Sequence, residues 1–324
     1  MESETQTVRK FNRVLVIGLG QIGCAVASYI NKKVEYDVYG YDISSTARER
    51  AALKIRLKIA ADFSGYDVYI LCVSTHKHND IFTPDTSDLL SISNKLSKEG
   101  RESSLVVIES TVPLGTSREF CEILGHRLHV VHAPHRFYAL EENDHGVNQP
   151  RVIGGVHDCC LRLGMQFFTG SELANQNGNS NTYKGLGLPM LPLSRIEIAE
   201  LTKIIENSHR YLQIAFAEEL FLYCQANGIN FWELRTALNT KWNVNILEPR
   251  SGIGGHCLPK DTKMFLNSSN LVRSRIISSA MEVDEEYKRY VQTASPTIVD
   301  PKGQFAGILT RNEKAKCDID NEQN

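Results

Sequence analysis

The chain has 324 residues, 23% of them charged, and a formal net charge of −2. That length holds about two domains with a sizeable core, and the balanced charge excludes a bulk field that draws the protein to nucleic acid or anionic lipid. Met1 to Asn12 is polar and lacks the apolar core of a signal peptide, no apolar run reaches the ~18 residues of a membrane span, and eight scattered cysteines suit a reducing cytoplasm rather than a disulfide framework.

Val14-Leu15-Val16-Ile17 is a short apolar run that stops at glycine, as a buried parallel strand does. Similar runs recur at Asp37 to Tyr41, Val68 to Val73, Leu105 to Ile108, Val130-Val131 and Val152-Ile153. Stretches of helical periodicity lie between them, at Ile22 to Lys33 and Thr86 to Lys98. Alternation of this kind predicts βαβ units in an α/β, doubly wound parallel sheet. His76 and His78 with Asp80 raise a metal as one reading, but Lys77 between them favours an open loop. Glu172 to Lys184, rich in Asn, Gly and Ser, predicts another loop. The tandem Cys159-Cys160 makes no metal-ligand spacing and reads as helix packing.

A long helix follows, from Ser194 as N-cap to Ala226, with Glu197 placed for a capping box. Ile198, Leu201, Ile204 and Ile205 give it a packing face. Further helices are predicted at Asn230 to Leu238 and Leu271 to Val291. The expected organisation is a disordered 1–12, a nucleotide-binding domain at 13–193, an all-helical domain at 194–295 and a polar tail at 296–324.

Gly18-Leu19-Gly20-Gln21-Ile22-Gly23 fits the dinucleotide fingerprint, with a strand before it and a helix after. The first glycine permits the tight turn, the second the approach of a pyrophosphate, the third close helix packing. Asp42 closes the second strand, where its carboxylate can accept ribose hydroxyls and disfavour the extra phosphate of NADP, although Arg48 lies nearby. The cofactor expected is NAD.

Gly252-Ile253-Gly254-Gly255-His256-Cys257-Leu258-Pro259-Lys260-Asp261 sets one cysteine among glycines, with a cation nearby to favour thiolate. Read alone, this is also what a glycine turn around an inert cysteine looks like. Glu200, Lys203 and Asn207 share a face of the long helix, and read alone they are a solvated ion pair beside an amide. The cysteine segment resembles the signature of the nucleotide-sugar 6-dehydrogenases, the UDP-glucose, UDP-N-acetylhexosamine and GDP-mannose dehydrogenase family. Glu109 to Thr116 is similar to the family's Ser-Thr-Val-Pro-x-Gly-Thr loop, and Cys72-Val73-Ser74-Thr75 to its third strand end, with His76 where proline is usual. The family also carries a lysine and an asparagine four residues apart on its central helix.

The resemblance covers roughly Arg13 to Val291 and implies a Rossmann domain followed by an all-helical central dimerisation domain. It implies oxidation of a sugar C6 alcohol to the carboxylate in two hydride transfers. Cys257 forms the thiohemiacetal and thioester, and Lys203 and Asn207 stabilise negative oxygen at C6. Asp261 and Thr111 position water and move protons, Thr75 and Thr111 meet the cofactor, and Lys260, Arg250 and Gly254 meet the substrate. A homodimer through the central helix is implied, with Lys241 or Arg250 reaching the neighbouring site.

Two departures stand out. His135 occupies the place of a family glutamate within His132-Ala133-Pro134-His135-Arg136-Phe137. Three readings follow: His135 is the hydrolytic base, or hydrolysis is slow, or the imidazole simply bonds backbone. The 29 residues from Pro296 to Asn324 fall short of the ~50 that an independent domain needs, so a short form lacking the C-terminal UDP-binding domain is expected, with a partner supplying that grip. A non-catalytic NAD-binding subunit of a full-length dehydrogenase is the alternative, and an ordinary hydroxy-acid dehydrogenase explains fewest residues. The sequence does not choose the sugar.

Overall fold

A computed structural model describes residues 10–77, 79–137, 146–174, 180–183, 185–268 and 274–293. The chain forms two compact units, one built on residues up to 76 and on 85–203, the other on 77–84 and from 204 onward. The expectations for His78, for the first nine residues and for the tail lie outside the described residues.

The first unit is a sheet of eight strands: β1 (Arg13–Ile17), β2 (Asp37–Tyr41), β3 (Lys58–Ile59), β4 (Val68–Leu71), β7 (Leu105–Ile108), β8 (His129–His132), β9 (Arg151–Gly155) and β12 (Met190–Leu193). Their order is β12-β9-β8-β7-β4-β1-β2-β3. Neighbours from β3 to β8 are parallel, so the doubly wound reading holds there. β9 then runs antiparallel to β8, and β12 is parallel to β9. The sheet is therefore mixed rather than wholly parallel. An apolar run such as Val152-Ile153 encodes burial but not strand direction.

Alternate residues of each central strand face opposite sides. Val14, Val16, Val68, Ile70, Leu105 and Val107 enter one core, while Leu15, Ile17, Tyr69, Leu71, Val106 and Ile108 enter the other. Helices α1 (Gln21–Asn31), α2 (Ser45–Ile55), α3 (Ser87–Glu99), α4 (Thr116–Ile123) and α5 (Asp158–Thr169) alternate with the strands. The expected loop at 172–184 instead holds an antiparallel ribbon of β10 (Ser171–Ala174) and β11 (Ser180–Tyr183). The expected loop at the histidines likewise holds a strand pair, β5 (His76–Lys77) and β6 (Asp80–Pro84).

The long helix α6 spans Ile196–Ala226, beginning two residues after the expected cap. Its packing face is also corrected. Ile204 is buried, but Ile198 and Ile205 are 41% and 42% exposed. The second unit adds α7 (Phe231–Leu238), capped by the Asn230 carboxamide, α8 (Cys257–Asn267) and α9 (Arg275–Thr293). Tyr211, Ala215, Ile253 and Ala280 form one part of its core, and Phe221, Cys224, Phe231 and Tyr287 another. No helix among the described residues is long and apolar enough to cross a membrane.

Candidate active site

The glycine turn of the first unit separates what the protein needs from what a ligand needs. Gly18 has φ +92°, and a Cβ there would lie 2.5 Å from the Cys72 carbonyl oxygen. A Cβ on Gly23 would lie 1.8 Å from the Gly18 carbonyl oxygen. Gly20 has nothing within 4 Å of its would-be Cβ, so its bareness serves no internal packing. It is also the N-cap of α1 and offers no side-chain acceptor. The first amides of that helix, those of Gln21 and Ile22 among them, therefore face this opening, as a pyrophosphate requires.

Asp42 ends the neighbouring strand. Its Oδ2 accepts the Leu19 N–H at 2.7 Å and its Oδ1 the Ser44 N–H at 2.8 Å. Each oxygen keeps a further lone pair for a ribose hydroxyl. Arg48 donates to the carbonyls of Asp42 and Ile43, at 2.5 and 3.2 Å, which engages its guanidinium with backbone. These residues fit NAD.

Two loops follow at carboxyl ends of β4 and β7, where open α/β sheets bind ligands. Buried Thr75 donates its hydroxyl to the Thr111 carbonyl at 2.7 Å, which ties the loops together. Glu200, expected in a solvated pair, is instead fully buried. Its carboxylate accepts the N–H groups of Gly115 and Ser117 at 2.6 and 2.7 Å and so caps α4. Burial pushes its pKa up against the pull of those bonds. Arg118 and Glu197 pair beside it at 2.8 Å.

His135 is buried. Its Nδ1 accepts the Phe137 N–H at 2.8 Å, and its Nε2 lies 3.7 Å from the Glu109 carboxylate. Burial first, then the charges of Arg151 and Lys203, hold the imidazole neutral, well below its ordinary pKa. With Nδ1 accepting, the proton sits on Nε2, so neither nitrogen presents a free lone pair. The geometry fits the backbone-bonding reading. Glu109 itself is pushed up by burial and pairs with buried Arg151 at 2.7 Å. Neighbouring His132 has no hydrogen-bond partner at either ring nitrogen, and burial lowers its pKa to about 3.

In the second unit Cys257 opens a helix rather than a loop, and Pro259 sits in that helix's first turn, where its missing N–H costs nothing. The partial positive charge of a helix N-terminus favours an anion there. Cys257 is exposed, with Sγ 3.6 Å from the His256 Nε2. One turn on, buried Lys260 and Asp261 pair at 3.3 Å, and Asn207 donates to the other Asp261 oxygen at 2.5 Å. The fold thus joins Asn207, Lys260 and Asp261 in one cluster. Lys203, the last residue of the first unit, stands one turn before Asn207 on the same helix, and within that unit its charge helps to lower the His135 pKa.

The segment leading to Cys257 is pinned from α9. Asp284 accepts the Ile253 N–H at 2.8 Å, the Tyr211 hydroxyl at 2.6 Å and the Lys288 ammonium at 2.7 Å. Tyr287 donates to the Arg250 carbonyl at 2.7 Å, while the Arg250 side chain is exposed. Gly252, at φ +100°, packs against the Lys288 chain. Gly254 and Gly255 have nothing within 4 Å of a would-be Cβ, which leaves room for a ligand.

Sequence reasoning missed Glu109, Arg151, Asp284, Tyr211 and Tyr287. One signal was available: Asp284 falls at helical spacing with Ile277, Ala280 and Tyr287, the buried stripe of α9. A carboxylate in an apolar stripe marks a buried network.

Residues 44–170 match the NAD binding domain of the UDP-glucose/GDP-mannose dehydrogenase family, and residues 197–286 match that family's central domain. A UDP-N-acetyl-D-mannosamine dehydrogenase of Campylobacter jejuni is 28% identical, over 88% of this chain and 74% of its own length. The protein of that name from Pyrococcus horikoshii is 30% identical, over 79% of this chain and 64% of its own length. A solved structure of the UDP-D-ManNAc dehydrogenase from P. horikoshii has a TM-score of 0.72 at 27% identity, over 86% of this chain and 70% of that one.

Proposed function

The chain belongs to the UDP-glucose/GDP-mannose dehydrogenase family and is an NAD-dependent oxidoreductase acting on CH–OH; on that premise we propose that it oxidises the C6 alcohol of a UDP-N-acetylhexosamine to the carboxylate through Cys257. The observation that carries the reading is the second unit's cluster. An exposed thiol opens a helix, a buried lysine and aspartate stand one turn behind it, and half-buried Asn207 of α6 donates to that aspartate. UDP-N-acetyl-D-mannosamine is the preferred substrate, on the names borne by the relatives at 28% and 30% identity.

The residues divide the chemistry as follows. Bound NAD supplies a hydride acceptor for each of the two oxidations, held by Gly18, Gly20, Gln21, Ile22, Gly23 and Asp42, with Thr75 and Thr111 toward its reactive end. Lys203 and Asn207 donate to the C6 oxygen and stabilise the negative charge that develops on it. Cys257 attacks the resulting aldehyde as thiolate, giving a thiohemiacetal and, after the second oxidation, a thioester. Asp261, held by Asn207 and Lys260, orients the water that releases the carboxylate and regenerates the thiol. Lys260, Arg250 and Gly254 meet the substrate. His135 accepts the Phe137 N–H with its neutral imidazole, a positioning role in the loop rather than the role of a base.

The same helix supports a homodimer. Ile198, Ile205, Phe216 and Tyr223 are exposed at 41%, 42%, 53% and 58%. Their spacings of 7, 11 and 7 residues bring each within ~20° of a single line along the helix, and such a stripe suits self-association.

NADH formation across UDP-N-acetylmannosamine, UDP-N-acetylglucosamine, UDP-glucose and GDP-mannose tests the reading. The expected result is two NADH per UDP-N-acetylmannosamine, with kcat/KM at least about tenfold above the others, a discrimination of ~1.4 kcal/mol. No NADH from any of them, by a protein that binds NAD, would overturn it.

A further inference from the structure

A second cluster of thiols and imidazoles lies in the first unit, at the amino end of β8 and so at the opposite edge of the sheet from the nucleotide loops. His129 opens that strand, and Cys159 and Cys160 lie in the first turn of α5, which packs across β8 and β9. Their three ligand atoms lie within 4.8 Å of one another, and Cys160 Sγ is 3.7 Å from His129 Nδ1. A tetrahedral ion with bonds of ~2.3 Å to sulfur and ~2.0–2.1 Å to nitrogen separates such atoms by roughly 3.5–3.8 Å. One pair already has that separation.

The alternative, a disulfide between the two cysteines, is disfavoured by backbone geometry. Adjacent α-carbons stand ~3.8 Å apart, whereas a relaxed disulfide needs ~4.4–6.8 Å. The two thiols of one helical turn are therefore held together where joining would strain the backbone. Cys160 is buried, His129 half-buried and Cys159 exposed, which gives an anchored site with one open side. His157, the N-cap of α5, provides no side-chain cap, so the first amides of the helix remain to stabilise thiolate charge. More donors adjoin: Cys121 Sγ is 3.5 Å from His126 Nδ1, which is 3.5 Å from His157 Nε2. Spacing in the sequence hid the site, because the histidine comes 30 residues before the cysteine pair.

We propose that His129, Cys159 and Cys160 bind a thiophilic divalent cation, zinc(II) in the first instance, with water in the fourth position. The donor set is that of a zinc centre, soft sulfur with imidazole and no hard oxygen. Each thiol gives up its proton on forming its metal–sulfur bond. The bound ion fastens α5 to β8 and takes no part in hydride chemistry.

The test is a cobalt(II) titration of the reduced Cys257→Ser protein, which lacks the exposed thiol of α8. One equivalent is expected to produce thiolate-to-cobalt charge-transfer and tetrahedral d–d absorption, bleached by one equivalent of zinc. Cys159→Ser, at an exposed position that spares the core, weakens cobalt binding at least tenfold, as does His129→Gln. In the Cys257→Ser protein, zinc also raises Tm and protects one thiol from alkylation, and adding Cys159→Ser removes both effects. Absence of the charge-transfer band, or a band unchanged when Cys159→Ser and His129→Gln are combined, overturns the site.

Discussion

Glu200 and Glu218 stand 18 residues apart on one helix, five turns of ~3.6 residues, and both are fully buried. Glu200 belongs to the first unit and accepts two backbone N–H groups. Glu218 belongs to the second, and neither of its oxygens has a hydrogen-bond partner. Burial and the nearby charge of Asp284 raise the Glu218 pKa to about 8, so it stays protonated at neutral pH. The contrast extends beyond this pair. In the first unit Asp42 and Glu200 are held by main-chain N–H groups and Asp67 by two of them together with Arg101, while Asp37, Glu109 and Glu197 pair with the side chains of Lys58, Arg151 and Arg118. In the second, Asp261 and Asp284 are held mainly by side chains brought from elsewhere in the sequence. Acids on main chain define a scaffold, and acids on side chains define a cluster whose charge can act on a ligand.

Substitutions can break this contrast. The largest effect is expected at Asp261: Asp261→Ala removes the partner of Asn207 and Lys260, and kcat should fall at least ~10³-fold, with NAD affinity unchanged by titration calorimetry. At Asp284 the expected loss is in folding. Asp284→Ala strands Lys288 and the Ile253 N–H and should cost ~3–5 kcal/mol in denaturant titration, whereas Asp284→Asn, which keeps an acceptor for Ile253, costs clearly less. Glu200→Ala leaves two amides of α4 without acceptors and should cost ~1–3 kcal/mol. It acts on Tm rather than on the thiol chemistry.

The smallest effect carries a sign that sharpens the comparison. Glu218 ionises from its ordinary 4.5 in the unfolded chain but only near 8 in the fold. The unfolded state therefore binds fewer protons across that window, and stability falls as pH rises from 4.5 through 8. Glu218→Gln should abolish this decline and leave the variant more stable than wild type at pH 9 by ~1–2 kcal/mol, with little difference at pH 4. His132 gives the reverse slope in the first unit. Its pKa is lowered from 6.5 to about 3, so the stability present above 6.5 is lost as pH falls through 3.

The same contrast explains how far the sequence could be read. The first unit's strands, the three glycines and Asp42 were legible because main-chain sites leave local marks: a glycine at positive φ, an apolar run, a carboxylate at a strand end. The antiparallel β9 left no such mark, since strand direction depends on the connection and not on the run itself. Lys203, at the end of the first unit, and Asn207 and Cys257 in the second were legible by resemblance alone. Asp284 escaped because its partners Tyr211 and Ile253 lie 73 and 31 residues away, a distance that no local pattern spans. Glu200 was misread for a related reason. Lys203 three residues on suggests a surface pair, while the amides it meets come 83 and 85 residues earlier.

The most direct test of the account is the NADH yield per UDP-N-acetylmannosamine consumed, for the wild type and for Cys257→Ser. The account predicts two NADH and a uronate from the wild type, and from the variant at most one NADH with no uronate. Two NADH and uronate from the variant at the wild-type rate would contradict the assignment of Cys257 and, with it, the reading of the second unit as the reacting cluster.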